Sequence, residues 1–128
     1  MPKYSRPGDA GLDLFSVEEY LLKAGERRLF MLGIALEIET GNVLLVWDRS
    51  GLAAKFGIKT MGGVIDQTYR GEIGITLINT SDHNYMINKG DKIAQLLVQP
   101  IITAEIEEVG KLGETVRGSG AFGSSGKN

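Results

Sequence analysis

The sequence contains no cysteine, which excludes disulfides, thiolate nucleophiles and zinc-thiolate sites and suits a reducing compartment. It contains one histidine, His83, set in the run TSDHN between two apolar stretches, where Ser, Asp and Asn predict a solvated turn. With thiol and imidazole chemistry removed, any hydrolysis must rest on carboxylates, hydroxyls, amides and a hard metal bound through oxygen. An excess of charge is missing too: 14 basic against 16 acidic residues leave a net charge of -2. No basic run offers a stripe for a nucleic-acid polymer or a patch for a membrane surface. No segment approaches the ~18 apolar residues of a membrane span. The opening MPKYSRPGD lacks a signal peptide's apolar core, so a cytoplasmic protein is expected.

Glycine, by contrast, is abundant: 18 in 128 residues, about twice the usual share. Such density implies many turns, or backbone kept bare for a ligand. The length allows one domain with one modest core, and 42% apolar with 23% charged residues marks a chain that folds. Apolar residues come in short blocks, LDLF, NVLLVW, EIGITLIN and KIAQLLVQPI among them, separated by Gly, Asn, Asp and Lys-Gly turns, so the expected fold class is all-β. In EIGITLIN, Ile73, Ile75 and Leu77 alternate onto one face of a half-buried strand. IAQLLV is nearly continuous in apolar character, which predicts cover on both faces and a second subunit as one of the covers. A single short helix is expected in SGLAAKFG, with Ser50 as N-cap and Gly57 as its stop. The last twelve residues, RGSGAFGSSGKN, are too rich in Gly and Ser to join a core. Residues 1–116 are therefore read as a β domain and residues 117–128 as a flexible C-terminal arm.

Several segments carry candidate chemistry. The arm holds a formal G-x-G-x-x-G at Gly118, Gly120 and Gly123, but no helix or α/β crossover can follow in the five residues left, so a Rossmann site is excluded. What remains is bare N–H groups, Arg117, Phe122 and two adjacent hydroxyls, a set suited to closing over a phosphate and a base; alone, the segment reads equally as a plain tail. DRSGLA places Arg49, Ser50 and Gly51 at a helix start, where an anion is favoured, or simply where a helix is capped. GGVIDQTYRG puts Asp66 in a turn with Tyr69 three residues on. AGLDL holds Asp13 between two leucines, either at a sheet edge or as a water-mediated metal anchor. Gln95 interrupts IAQLLV, and its amide must find a protein or ligand partner.

Together, AGLDL at 10–14, DRSGLAAK at 48–55, GGVIDQTYRG at 62–71, GDKIAQLL at 90–97 and RGSGAFGSSG at 117–126 resemble, in order, the five motifs of the homotrimeric dUTPases. The resemblance implies a jelly-roll-like β-sandwich or barrel, assembled as a homotrimer with active sites built from three chains and closed by the C-terminal arm. It implies hydrolysis of dUTP to dUMP and pyrophosphate, with Mg²⁺ on the triphosphate. By motif match, Asp66 activates the attacking water, Tyr69 packs on the deoxyribose, and the hairpin with Thr60, Gly63, Val64 and Ile65 reads the uracil edge. Arg49, Ser50, Gly51 and Gln95 take the phosphates, and Asp13 anchors the metal through water. Phe122 stacks on uracil, while Arg117, Gly123, Ser124 and Ser125 close over the phosphates.

The chain departs from the common pattern at Asp48, where Pro is frequent, and at Thr68, Ala121 and Ser125. Asp48 brings a negative charge to the phosphate side or pairs with Arg49. The later start compared with many relatives leaves a first edge strand missing or supplied differently. Two alternatives share the fold: a dCTP deaminase, whose family lacks the tyrosine motif and the Gly-rich arm, and a non-catalytic β-sandwich binding module, which predicts damage at Asp66, Tyr69 or Arg117.

Overall fold

The structure is a computed structural model and describes residues 1–121. In chain order its elements are β1 (Leu12–Phe15), β2 (Tyr20–Leu22), β3 (Arg27–Met31), β4 (Asn42–Trp47), the helix α1 (Ser50–Phe56), β5 (Ile58–Met61), β6 (Val64–Ile65), β7 (Gly74–Asn79), β8 (Tyr85–Ile87) and β9 (Lys92–Pro100). Three antiparallel sheets form, ordered β1-β9-β4-β6, β2-β8 and β3-β7-β5. Neighbours in space are distant in sequence, as β1 against β9 and β3 against β7 illustrate, and this gives the jelly-roll-like wrapping expected of an all-β chain.

Alternation builds the core. In β7 the predicted face, Ile75 and Leu77 with Ile73 just before the strand, is buried, and these residues join Leu14, Leu22, Phe30, Leu44, Ile58, Ile87 and Leu96 in one cluster drawn from all three sheets. The next residue on that face is Asn79, fully buried. Its amide donates to the carbonyls of Leu22 and His83 and accepts from the Ser81 N–H and hydroxyl, so no polar atom of it is stranded. Asn79 thereby locks the turn that carries His83, whose imidazole is exposed beside Asp82 as predicted.

The helix occupies the predicted segment, but its N-cap is Arg49, in extended conformation and without a capping side-chain hydrogen bond; Ser50 is already helical. The expected serine cap is thus corrected: Arg49 is drawn into contacts with β1 and β9, described below, and that shifts the helix start by one residue. Gly57 ends the helix at φ 67, its N–H returning to Ala53 and Leu52.

On β9, Ile93, Ala94 and Leu96 are buried within the one chain, whereas Leu97 is half-buried and Val98 exposed. At the other edge, Lys3 bridges Asp13, whose N–H donates to the Lys3 carbonyl at 2.8 Å, so the N-terminal segment adds a single bridge beside β1. Beyond Pro100 no strand follows among the described residues, and Ile102, Ile106 and Leu112 stand in the open. Among the described residues no helix is long and apolar enough to cross a membrane.

Candidate active site

The pairing β1-β9-β4 brings three motif segments to one place. Asp13 on β1 is the register partner of Gln95 on β9, and Gln95 is the partner of Trp47 at the end of β4. Two residues after Trp47 the chain reaches Arg49, Ser50 and Gly51. A cleft of about 400 Å³ opens there, lined by Asp13, Arg49, Ser50, Gly51 and Gln95 together with Gly11 and Lys92, and walled by Ser5, Arg6 and Asp9 of the N-terminal segment. Five of the residues singled out from the sequence therefore converge.

Charge in the cleft is organised around Asp13, which is buried. Lys92 Nζ lies 2.7 Å from its Oδ2, Arg49 Nε 3.5 Å from its Oδ1, and the Ser5 hydroxyl donates to Oδ2. Burial pushes the Asp13 carboxyl up, but hydrogen bonds from Lys92 and Ser5 and the charges of Lys92 and Arg49 outweigh it and hold it below the usual carboxylate value. Asp13 is thus ionised at neutral pH. Arg49 also donates to the Lys92 carbonyl at 3.3 Å, which fixes the guanidinium over the cleft. Lys92, Ser5 and Arg6 were not singled out from the sequence. Lys92 lies only three residues before Gln95 in GDKIAQ, yet nothing local says that β9 will lie beside β1.

Asp48 does not pair with Arg49. Its Oδ2 takes Lys59 Nζ at 2.7 Å, and its Oδ1 takes the Thr60 N–H at 2.6 Å and the Thr60 hydroxyl at 2.8 Å. Burial raises its carboxyl, and these bonds with the Lys59 charge bring it below the usual range. Gln95 Nε2 donates to the Asp48 carbonyl at 2.8 Å, so the amide that interrupts the apolar strand has its partner. Its Oε1 lies over Gly11, where an added Cβ would sit 2.8 Å away.

Thr60, Gly63 and Val64 line a second hollow of about 300 Å³ with Trp47, Asp48 and Gly62. Gly63 has φ 122, and its carbonyl accepts the Val46 N–H at 2.7 Å. A third hollow of about 200 Å³ is lined by Val64, Ile65, Asp66 and Tyr69. Asp66 and Tyr69 share one turn, closed by the Tyr69 N–H donating to the Asp66 carbonyl at 3.0 Å. The tyrosine ring folds over Gly71, and its hydroxyl donates to the Glu72 carbonyl at 3.0 Å.

These hollows do not merge with the cleft. Ile65 pairs with Leu44, which puts Asp66 level with Val43, whereas Gln95 pairs with Trp47. Four residues of strand separate the two levels, about 13 Å at ~3.3 Å per residue. Arg117 is exposed, and its Nε donates to the Gly120 carbonyl. Phe122, Gly123, Ser124 and Ser125 lie outside the described residues.

Among the described residues no group of three or more His, Cys, Asp or Glu could hold a metal ion. Both oxygens of Asp13 already face cations, so the cleft does not fit a bare, protein-caged ion. It does fit a hydrated Mg²⁺ carried in by phosphates, because that ion keeps its waters and asks the protein for one ionised carboxylate.

The dUTPase family model matches residues 1–126. The chain belongs to the dUTPase family. The deoxyuridine 5'-triphosphate nucleotidohydrolase of Clostridium tetani is 45% identical over 129 residues, covering 99% of this chain and 89% of that one. A variant of the Staphylococcus bacteriophage 80alpha dUTPase with dUpNHpp superimposes with a TM-score of 0.91 at 32% identity, over 98% of this chain and 91% of that chain. A variant dUTPase from phage phi11 of S. aureus, described with a coordinated structural Mg(II) ion, reaches 0.82 at 30% identity over 89% and 92% of the two chains. Membership in the dUTPase family makes this an enzyme fold, and the solved 80alpha relative matches it over nearly the whole chain.

Proposed function

We propose that this member of the dUTPase family hydrolyses dUTP to dUMP and pyrophosphate as a homotrimer in which each active site is shared between subunits. The observation that supports the shared site is the separation just described: the cleft around Asp13, Arg49 and Gln95 and the turn of Asp66 and Tyr69 lie about 13 Å apart along one strand. A second copy that lays its Asp66 turn across the first copy's cleft completes the constellation. Apolar surface left bare supports the assembly: Val64 is 73% and Ile102 95% exposed, with Trp47 and Val98 also open.

Within that site Arg49, the Ser50 hydroxyl, the Gly51 N–H and the remaining N–H of Gln95 hold the phosphates. Asp66 accepts a proton from water as the water oxygen bonds to the α-phosphorus; the bond from phosphorus to the bridging oxygen breaks, and pyrophosphate leaves with that oxygen. The hairpin over Thr60, Gly63, Val64 and Ile65 reads the uracil edge, and the Tyr69 ring, seated on Gly71, packs on the deoxyribose where a 2'-hydroxyl would clash. Asp13 would hold the water shell of a substrate-borne Mg²⁺, which supplies charge neutralisation on the triphosphate. From the arm, Arg117, Gly123, Ser124 and Ser125 close over the phosphates and Phe122 covers the base. Catalysis then comes from positioning and charge stabilisation without a covalent intermediate.

Pyrophosphate release measured side by side from dUTP, dCTP, dTTP and UTP tests the reading, with light scattering for the assembly. Selective turnover of dUTP by a particle of about three chain masses is expected. Ammonia from dCTP, comparable turnover of the other nucleotides, or an active monomer overturns it.

A further inference from the structure

Asp48 stands in the two-residue connection between β4 and α1, and its contacts reach well beyond that connection. β4 belongs to the four-stranded sheet and β5 to the three-stranded sheet, and no strand pairing joins the two. The Asp48 carboxylate crosses that gap, taking the Thr60 N–H, the Thr60 hydroxyl and Lys59 Nζ. From Thr60 the chain runs through Gly62 and Gly63 into β6, which returns to β4 through Val64 opposite Leu45 and the Val46 N–H donating to Gly63. A ring of chain closes in this way around the second hollow, with the bond from Thr60 to Asp48 as its clasp. The same residue's carbonyl holds Gln95 in the anion cleft, and its successor is Arg49.

We propose that Asp48 is a positioning residue of this enzyme: its side chain clasps the hairpin over Thr60–Ile65 to the loop that carries Arg49, and its backbone carbonyl holds Gln95, so that one residue ties base reading to phosphate binding. The proposal rests on the dUTP reading for its kinetic consequences, while the clasp itself stands on geometry. The Thr60 N–H, on a half-buried strand residue, has its acceptor in a side chain instead of a strand neighbour. When the acceptor is lost, β5 stays paired with β7 through Thr60 opposite Leu77 and Met61 opposite Thr76, and the hairpin's link to β4 falls to β6, which is two residues long. In the shared-site trimer the hairpin and the cleft of one chain serve two different active sites, so a slack clasp loosens both.

Two measurements test this on the full-length protein. Amide hydrogen exchange at Thr60 is expected to be about tenfold faster in Asp48→Ala than in wild type, the equivalent of one lost hydrogen bond. Asp48→Asn, which keeps an acceptor oxygen for the Thr60 N–H, should restore most of the protection. In kinetics, Asp48→Ala should raise KM for dUTP and lower the ratio of kcat/KM for dUTP over dCTP by about tenfold. Lys59→Met, which removes only the exposed ion pair, should stay within about threefold of wild type. Loss of folded protein alone would lower apparent kcat and leave KM and the ratio where they were, and that outcome overturns the positioning role. Should Asp48→Ala not fold, Thr60→Val, which removes one donor to the same carboxylate, carries the test with an expected loss of about threefold in the ratio. Unchanged Thr60 exchange in Asp48→Ala, or an unchanged ratio in Thr60→Val, refutes the clasp. A wild-type protein that shows no preference for dUTP sinks the functional reading instead, and the exchange experiment still decides the clasp.

Discussion

Replacing Gly11 by alanine places a methyl group directly against Gln95. Gly11 is not in the left-handed region, so the backbone accepts alanine and the cost is steric. A Cβ built there lies 2.8 Å from Gln95 Oε1, 3.2 Å from Gln95 Cβ and 3.3 Å from Leu97 Cδ1. Ordinary carbon contacts begin at about 3.5 Å, so the amide must move by roughly half an ångström or more. That shift strains or breaks the bond from Gln95 Nε2 to the Asp48 carbonyl, worth about 1 kcal/mol. Overpacking of the remaining contacts adds about 1 kcal/mol more, at the low end because Gln95 and Leu97 are half-buried and can yield. Gly11→Ala should therefore cost about 2 kcal/mol of stability, and about tenfold in kcat/KM for dUTP through the displaced amide, since ~1.4 kcal/mol corresponds to tenfold. The assay is a double-mutant cycle by urea unfolding at one fixed protein concentration, with Gln95→Ala as the second change. In the Gln95→Ala background Oε1 is gone, and adding Gly11→Ala should cost about 1 kcal/mol less than it does alone. Effects that add to within about 0.3 kcal/mol would show that Gly11 and Gln95 do not press on each other.

Asp66→Asn should abolish turnover while a non-hydrolysable dUTP analogue still binds, because the amide keeps the shape but cannot accept the water's proton; an active Asn variant refutes the role of Asp66. Gly63→Ala combines a φ of 122 with a Cβ 2.8 Å from the Val46 carbonyl, a backbone atom that cannot swing aside. A loss of about 2–4 kcal/mol is expected, together with faster exchange of the Val46 N–H, and a wild-type unfolding curve would contradict it. The Asp48 carboxyl is depressed in the folded chain by Lys59 and Thr60, so its stabilisation is fully present above the unfolded value of about 3.9 and is lost as pH falls through the lower folded value. Wild type and Asp48→Asn should thus differ by about 1 kcal/mol in urea at pH 7, less in high salt because Lys59 is largely exposed, and converge in strong acid. A gap that widens in acid has the wrong sign. Cutting the chain before Arg117 should leave the assembly intact and remove most of the activity, as read by light scattering and pyrophosphate release; full activity would make the arm idle.

The sequence alone determined whatever depends on neighbours a few residues apart. Period-two alternation at Ile73, Ile75 and Leu77 requires only that successive side chains point to opposite faces, and the buried face followed. Gly57 as helix stop and the exposed turn at His83 are likewise local chemistry, readable from residue type. The order of five motifs carried the family, because each motif is a short segment whose residues act together. The helix cap was the local reading that failed. Ser50 has capping chemistry, but Arg49 is pulled toward Asp13 and the Lys92 carbonyl by strands whose partners no local pattern names.

Tertiary structure decided how the segments meet. Strand register, set by the burial of whole faces, placed Lys92 on Asp13 and Gln95 between Asp13 and Trp47. The sequence raised a choice for Asp48 between repelling phosphate and pairing with Arg49, and the packing of two sheets gave neither, because β5 brings Lys59 and Thr60 within reach first. The same register held Asp66 four residues along β4 from Gln95's level. Motif order says that both belong to one function, but only the fold fixes the distance between them, because strand pairing is a contact between residues far apart in the chain and leaves no mark on either partner alone.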